Sequence, residues 1–319
     1  MAQESLPLVT KPLDTNADVA PKHHRLLGLG LVALSALTFS LMSAGIKYES
    51  AYMTSMQTLF WRGFVAWVFN FVLVLATRTS LTVDRELAPY LVFRCIIGFI
   101  TTSLTFWTVS QMVLADASCI IFTSPVMTFL LGAIFLGERI KPLDFGLAIL
   151  CFVGVVFVAR PTFLFGDAPQ QDAHHGSKWA VLAGLAGAMC QASAYTSIRR
   201  IKDINFLVVI HYFMLTLAVL SAAWILTFEG GFKLNLPQSV WWSCLGSGFL
   251  GFVGQLFMTK GFQLENIGIA SVMRYLDIVF VFIWDTTLLH EKISVWSFVG
   301  AAIILSSAVA IAVRKAHQG

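Results

Sequence analysis

Charge is the first thing this sequence lacks. Asp, Glu, Lys and Arg make up 12% of its 319 residues, about half the share of a soluble globular chain. Hydrophobic residues make up 57% and mean hydropathy is +0.79. One soluble core cannot hide that much apolar surface, so the solvent must be a bilayer. Most soluble-enzyme readings and nucleic-acid binding are thereby excluded. Cysteine pairs are missing too. Cys95, Cys119, Cys151, Cys190 and Cys244 each fall inside an apolar run and no C-x-x-C occurs, so neither a disulfide framework nor a zinc site is expected. His23-His24 and His174-His175 lie in polar segments without partner ligands, and no metal or cofactor is implied. There is no H-E-x-x-H, nucleophile elbow or P-loop, which argues against an enzyme and against direct use of ATP.

Long apolar runs are what remains. A span needs about 20 such residues, and the chain holds ten runs near that length: 26–46, 55–77, 89–110, 116–136, 144–160, 179–199, 206–228, 241–262, 267–289 and 294–313. The polar stretch 1–25, with three prolines, reads as a disordered tail, and 316–319 as a short second one. The first run lacks the short core and cleavage site of a signal peptide. Connections are mostly short. The longer one, 161–178, divides the chain in the middle and leaves no room for an extramembranous catalytic domain.

Orientation follows from the Lys and Arg in the loops. With the N-terminus in the cytosol, that side carries twelve: Lys11, Lys22, Arg25, Arg78, Arg85, Arg139, Lys141, Arg199, Arg200, Lys202, Arg314 and Lys315. The other side carries five: Lys47, Arg160, Lys178, Lys233 and Lys292. Both termini are therefore expected in the cytosol.

An internal repeat appears at an offset of 153 residues. Ala117-Ser118 aligns with Ala270-Ser271, and Glu138-Arg139-Ile140 with Glu291-Lys292-Ile293. The repeating unit is five spans, 26–160 and 179–315. A unit with an odd number of spans inverts when repeated, because its second copy starts from the other side. Arg139 and Lys141 then lie inside and the matching Lys292 outside. The expected architecture is an all-α integral membrane protein of ten transmembrane helices in two inverted five-helix repeats. In secondary transporters such halves meet around a midplane substrate site.

The residues also resemble a known family. Phe122-Thr123-Ser124-Pro125-Val126 through Phe135-Leu136-Gly137-Glu138-Arg139 is similar to the signature of the EamA-type branch of the drug/metabolite transporter superfamily. The second half is similar through Met273-Arg274-Tyr275-Leu276-Asp277-Ile278-Val279-Phe280 and His290-Glu291-Lys292. Arg160-Pro161-Thr162-Phe163-Leu164-Phe165-Gly166 and the Arg274/Asp277 segment look most like subfamily G of solute-carrier group 35. The resemblance covers about 26–315. It implies two five-helix EamA-type repeats and transport of a small solute without ATP hydrolysis. The superfamily carries nucleotide sugars, amino acids, organic acids and other metabolites. One departure is plain: Ile278 stands where the first half has Pro125.

Ionisable residues inside spans are costly and mark functional sites by default. Arg62, Arg94, Lys260 and Arg274 are basic, whereas Asp277 and Asp285 are acidic, a balance that favours an anionic solute. Arg274 lies roughly 10 Å into its helix at 1.5 Å per residue. Asp277 at i+3 and Asp285 at i+11 return to nearly its face. Arg274 then either clamps a carboxylate or phosphate, tuned by Asp277, or forms a structural pair with it. Arg62, at similar depth, can offer a bidentate fork. Arg94 and Lys260 lie nearer the cytosolic ends, where snorkelling is the plain alternative.

Uncharged groups complete the candidate site. Trp107 and Gln111 are spaced i, i+4, as are Gln191 and Tyr195; each pair lines a pore or bonds between helices. His211 is a candidate proton acceptor or an interhelical donor. Pro125 midway along the fourth span, after Thr123 and Ser124, predicts a kink that either flexes in transport or stays static. The function expected is a secondary transporter moving a small polar anion by alternating access. The alternative is a membrane scaffold with the same fold that has lost transport. Apolar outer faces leave room for a homodimer.

Overall fold

The computed structural model describes residues 22–111, 120–138, 141–159, 164, 178–280, 283 and 295–317. Among them the chain forms ten α-helices and no strand. They are α1 (Lys22–Glu49), α2 (Ser55–Ala76), α3 (Ala88–Gln111), α4 (Ser124–Leu136), α5 (Pro142–Ala159), α6 (Lys178–Arg200), α7 (Phe206–Phe228), α8 (Gln238–Leu264), α9 (Ile267–Val272) and α10 (Val295–His317). Five of them, α2, α3, α6, α7 and α8, contain stretches long and apolar enough to cross a membrane. The predicted tail 1–25 is shortened, because α1 already begins at Lys22, and α10 runs to His317. Hydropathy marks where lipid ends, whereas the helical hydrogen-bond ladder continues into polar residues beyond it. Most of the 161–178 connection, Arg139, Asp285 and Glu291-Lys292 lie outside the described residues.

Local chemistry sets several helix starts. The Thr54 hydroxyl accepts from Gln57 N at 3.2 Å and caps α2. Asn205 caps α7 through Leu207 N at 2.9 Å, and Asn266 caps α9 through Ile269 N at 3.3 Å. Asp144 in the first turn of α5 pairs with Arg314 near the end of α10, tying the two helices together.

Packing joins helices across the two halves: α1 lies against α8, α3 against α6, α2 against α7, α4 against α9 and α5 against α10. Lipid tails are as apolar as Leu, so such contacts rest on close approach and interhelical hydrogen bonds more than on burial alone. At Gly261 of α8 an added Cβ would stand 2.9 Å from Gly28 O and 2.5 Å from the Val32 side chain; α1 reaches α8 only because that carbon is missing. Asn70 of α2 donates to Leu207 O of α7 at 3.1 Å. One core centres on α1, α5, α8 and the turn after α9, through Val32, Val155, Phe262 and Tyr275. A second lies between α2, α3 and α7, around Leu59, Leu91 and Leu217.

Two helices are interrupted at matching places. The predicted fourth span is helical at Ile120–Ile121, turns at Phe122–Thr123 and restarts as α4. Pro125 is thus in the first turn of a helix and not midway along one, a correction to the sequence reading. The first turn has free N–H groups in any case, so proline is tolerated there without breaking a hydrogen bond. In the second half, α9 gives way to a 3-10 turn, Met273–Tyr275, before helix resumes over 276–280. Shifted back by the repeat offset, that turn falls on Ile120–Phe122 and meets the Phe122–Thr123 turn at Phe122, although only one half carries a proline.

Candidate functional site

A cavity of about 300 Å³ lies among α1, α2, α3, α6, α7, α8 and the segment after α9. Three arginines reach it: Arg62 from α2, Arg94 from α3 and Arg274 from the 3-10 turn. Among the described residues Asp277 is the one acid that lines it, which leaves two of the three positive charges unbalanced among them. Gln191, Tyr195 and Gln255 supply amide and hydroxyl groups, and Phe39 and Phe213 supply aromatic walls.

Each arginine is held differently. Arg274 pairs with Asp277 at 3.1 Å and donates to Ser35 Oγ at 3.4 Å. Its guanidinium carbon lies 4.9 Å from the centre of the Phe39 ring. Arg274 Nε and Asp277 Oδ1 are buried and have no hydrogen-bond partner among the described residues. Arg94 is 3% exposed and stacks 4.1 Å over Phe213, while its Nε and Nη1 lack partners among the described residues. Arg62 donates to a weak acceptor, Met42 Sδ at 3.9 Å. Buried donors without acceptors cost about 1–3 kcal/mol each, more when charged, and these donors belong to residues that line the cavity.

The break after α9 is what presents Arg274. Asn266 and Glu138 both serve the start of α9: Glu138, at the far end of α4, accepts from Ile267 N at 3.1 Å and pairs with Arg199 at 3.7 Å. Ser271 Oγ donates to Gly268 O at 2.6 Å and to Pro125 O at 3.3 Å, linking the two interrupted helices. Tightening to three residues per turn then sets Arg274 beside Asp277. On α6 the Gln191 amide donates to Tyr195 Oη at 2.5 Å, and the Tyr195 ring stacks on Phe262 at 4.4 Å.

Of the residues singled out from sequence, Arg62, Arg94, Gln191, Tyr195, Arg274 and Asp277 come together here. Others do not. Trp107 is two positions past Thr105, a cavity residue, and 44% exposed; two residues turn a helix by about 200°. Lys260, two past Met258, sits 5.4 Å from the Phe206 ring instead. His211, two before Phe213, is buried between α2 and α7 near Trp67, Phe71 and Tyr212. The Gln111 side chain and Asp285 lie outside the described residues. Gln255 was missed, although a glutamine inside an apolar run is a polar signal of its own. The walls Phe39 and Phe213 carry no signal in so aromatic a sequence.

The sequence and the fold are also similar to those of known proteins. The family model described as "EamA-like transporter family" matches residues 26–160 and 178–313. Human solute carrier family 35 member G1 is 27% identical, with 92% of this chain and 80% of that one covered. The pseudopaline exporter CntI of Pseudomonas aeruginosa is also 27% identical, over 90% of this chain and 96% of its own. One solved crystal structure shares the fold, with a TM-score of 0.77 and 18% identity over 94% of this chain and 99% of that one. The chain is an integral membrane protein of the EamA-like transporter family, within the drug/metabolite transporter superfamily and close to subfamily G of solute carrier family 35.

Proposed function

We propose that this chain is a secondary transporter that moves a small polar anion across a membrane by alternating access. The observation that carries the reading is the meeting of Arg62, Arg94 and Arg274 on one cavity with a single acid among the described residues that line it. Guanidinium forks bind carboxylate or phosphate with two parallel hydrogen bonds, and the donors left unpaired are the ones such a group satisfies. Gln191, Gln255 and Tyr195 then select the polar body of the solute, and Phe39 and Phe213 exclude water beside it. The volume is at the small end of ligand pockets, which favours a compact organic acid or phosphate ester over a nucleotide sugar.

Two inverted five-helix repeats, 26–160 and 179–315, suit this function. Their support is the packing: replacing each helix by the one five places along exchanges α1–α8 with α6–α3 and α2–α8 with α7–α3, and maps α2–α7, α4–α9 and α5–α10 onto themselves. Pro125 and the 3-10 turn mark the places where the halves bend as the cavity changes sides. The loop charges support both termini being cytosolic, which puts the end of α1 and the start of α2 on the opposite side.

The test is uptake into proteoliposomes of labelled malate, phosphoenolpyruvate, glutamate, choline and mannitol, comparing wild type with Arg274→Ala. Uptake confined to anions and lost in the variant is expected. Uptake of choline or mannitol alone, or anion uptake indifferent to the variant, overturns the reading.

A further inference from the structure

Glu49 is a buried carboxyl that the anion site does not use. It ends α1 one turn beyond Ile46, a cavity residue, and is 0% exposed. Its Oε1 accepts from Ser243 Oγ at 2.9 Å and Ser247 Oγ at 2.8 Å, both on α8. Its Oε2 is buried with no partner among the described residues, and no ion pair with it is formed among them. A carboxylate held by two hydroxyls, with Arg62 near it but in no direct ion pair, is expensive in apolar surroundings, and one proton on Oε2 removes the charge.

The α8 stripe that holds Glu49 leads to the cavity. Ser243, Ser247, Gly251 and Gln255 follow at intervals of four residues on one helix face. The serines hold Glu49, and Gln255 lines the cavity. At Gly251 an added Cβ would stand 3.5 Å from Arg62 Cγ and 3.3 Å from Met42 Sδ, so the arginine stem crosses the stripe between the two. Among the described residues, the charged and titratable groups facing Glu49 are Arg62 from α2 and the Cys244 thiol from α8. On the same stretch of chain, Tyr48 is turned to Ser239 at 2.9 Å and Tyr52 packs on Tyr48.

Resting on the anion-transport reading above, we propose that Glu49 is a proton-binding site coupled through Arg62 to the anion in the cavity, so that proton and anion travel together. Ionised Glu49 competes with the anion for the field of Arg62. Protonated Glu49 releases that field, and by linkage a bound anion draws a proton to Glu49 with the same coupling.

Two measurements on the full chain test this. Infrared difference titration of the purified protein, with no solute added, is expected to reveal a carboxyl that stays protonated above the range where an ordinary glutamate, with a pKa of about 4.3, ionises. That band disappears in Glu49→Gln. In proteoliposomes with the membrane potential clamped, an inside-alkaline difference of about one pH unit is expected to drive about tenfold accumulation of malate or phosphoenolpyruvate for one coupled proton. Glu49→Gln abolishes that accumulation and flattens the pH profile of exchange. Should that variant not reconstitute, Ser247→Ala removes one donor to the ionised form and shifts the profile to higher pH. Anion uptake by the wild type that ignores the gradient, or a band that survives in Glu49→Gln, overturns the proposal. Failure of the wild type to carry either anion overturns the transport reading instead, and the infrared titration still decides whether Glu49 binds the proton.

Discussion

Replacing Arg94 by Met separates the cost of the anion site from its use. The substitution keeps an unbranched apolar stem and removes a charge that is 3% exposed, with Nε and Nη1 unpartnered among the described residues. A buried ion costs several kcal/mol after relaxation. Against that, the stacking on Phe213 at 4.1 Å returns about 2 kcal/mol. The substrate-free protein is therefore expected to gain about 1–3 kcal/mol, which raises Tm by about 2–6 °C at roughly 2 °C per kcal/mol. Anion binding moves the other way. Losing hydrogen bonds from a charged donor costs about 1.5–3 kcal/mol, or roughly 10- to 150-fold in affinity. Thermal unfolding followed by tryptophan fluorescence gives the first quantity, and half-saturation of malate or phosphoenolpyruvate uptake gives the second. A variant that unfolds at lower temperature while transporting with unchanged affinity refutes the reasoning and makes Arg94 a packing residue.

Three further outcomes follow from the contacts. Gly98→Ala places a carbon 2.5 Å from the Phe213 ring and against the Arg94 guanidinium, so anion half-saturation is expected to rise at least tenfold and overpacking to cost about 1–3 kcal/mol of stability, measured by uptake and thermal unfolding. Asp144→Asn leaves Arg314 without its carboxylate at a residue 2% exposed; a loss of about 3 kcal/mol should appear as a lower Tm with solute preference unaltered. Glu138→Gln weakens the charge at the start of α9 and the pair with Arg199. Uptake should slow because the turn carrying Arg274 is less firmly placed, and Glu138→Asp should recover less than half of the rate.

Much of the candidate site was legible because a bilayer makes polarity conspicuous. Arg62, Arg94, Arg274 and Asp277 stand out in apolar runs, and each lines the cavity. Helical spacing was a weaker guide. Gln191–Tyr195 and Trp107–Gln111 have the same i, i+4 spacing, yet Gln191 and Tyr195 both line the cavity whereas Trp107 is 44% exposed. Spacing says that two residues share a face; it does not say which face looks inward when both sides of the helix are apolar. The interruption at Met273–Tyr275 had no Pro or Gly to announce it, because the contacts beside it are tertiary, from Ser271 to Pro125 and from Arg274 to Ser35. Glu49 was passed over for another reason: it falls three residues past the end of the first apolar run, where a carboxylate looks like a loop residue. Its burial depends on α8, a helix 194 residues away through Ser243.

The claim at the centre of this account is that the cavity admits anions, and the charge preference of a thiol placed inside it tests that most directly. Ser43→Cys, in a chain whose native cysteines are replaced by alanine, lines the cavity on α1. Its reaction rates with an anionic and a cationic methanethiosulfonate are compared, each normalised to the same reagent acting on a free thiol. Two unbalanced positive charges predict that the anionic reagent is favoured by about tenfold or more, and that malate or phosphoenolpyruvate protects the thiol. Faster reaction with the cationic reagent, without protection by any anion, would contradict the account.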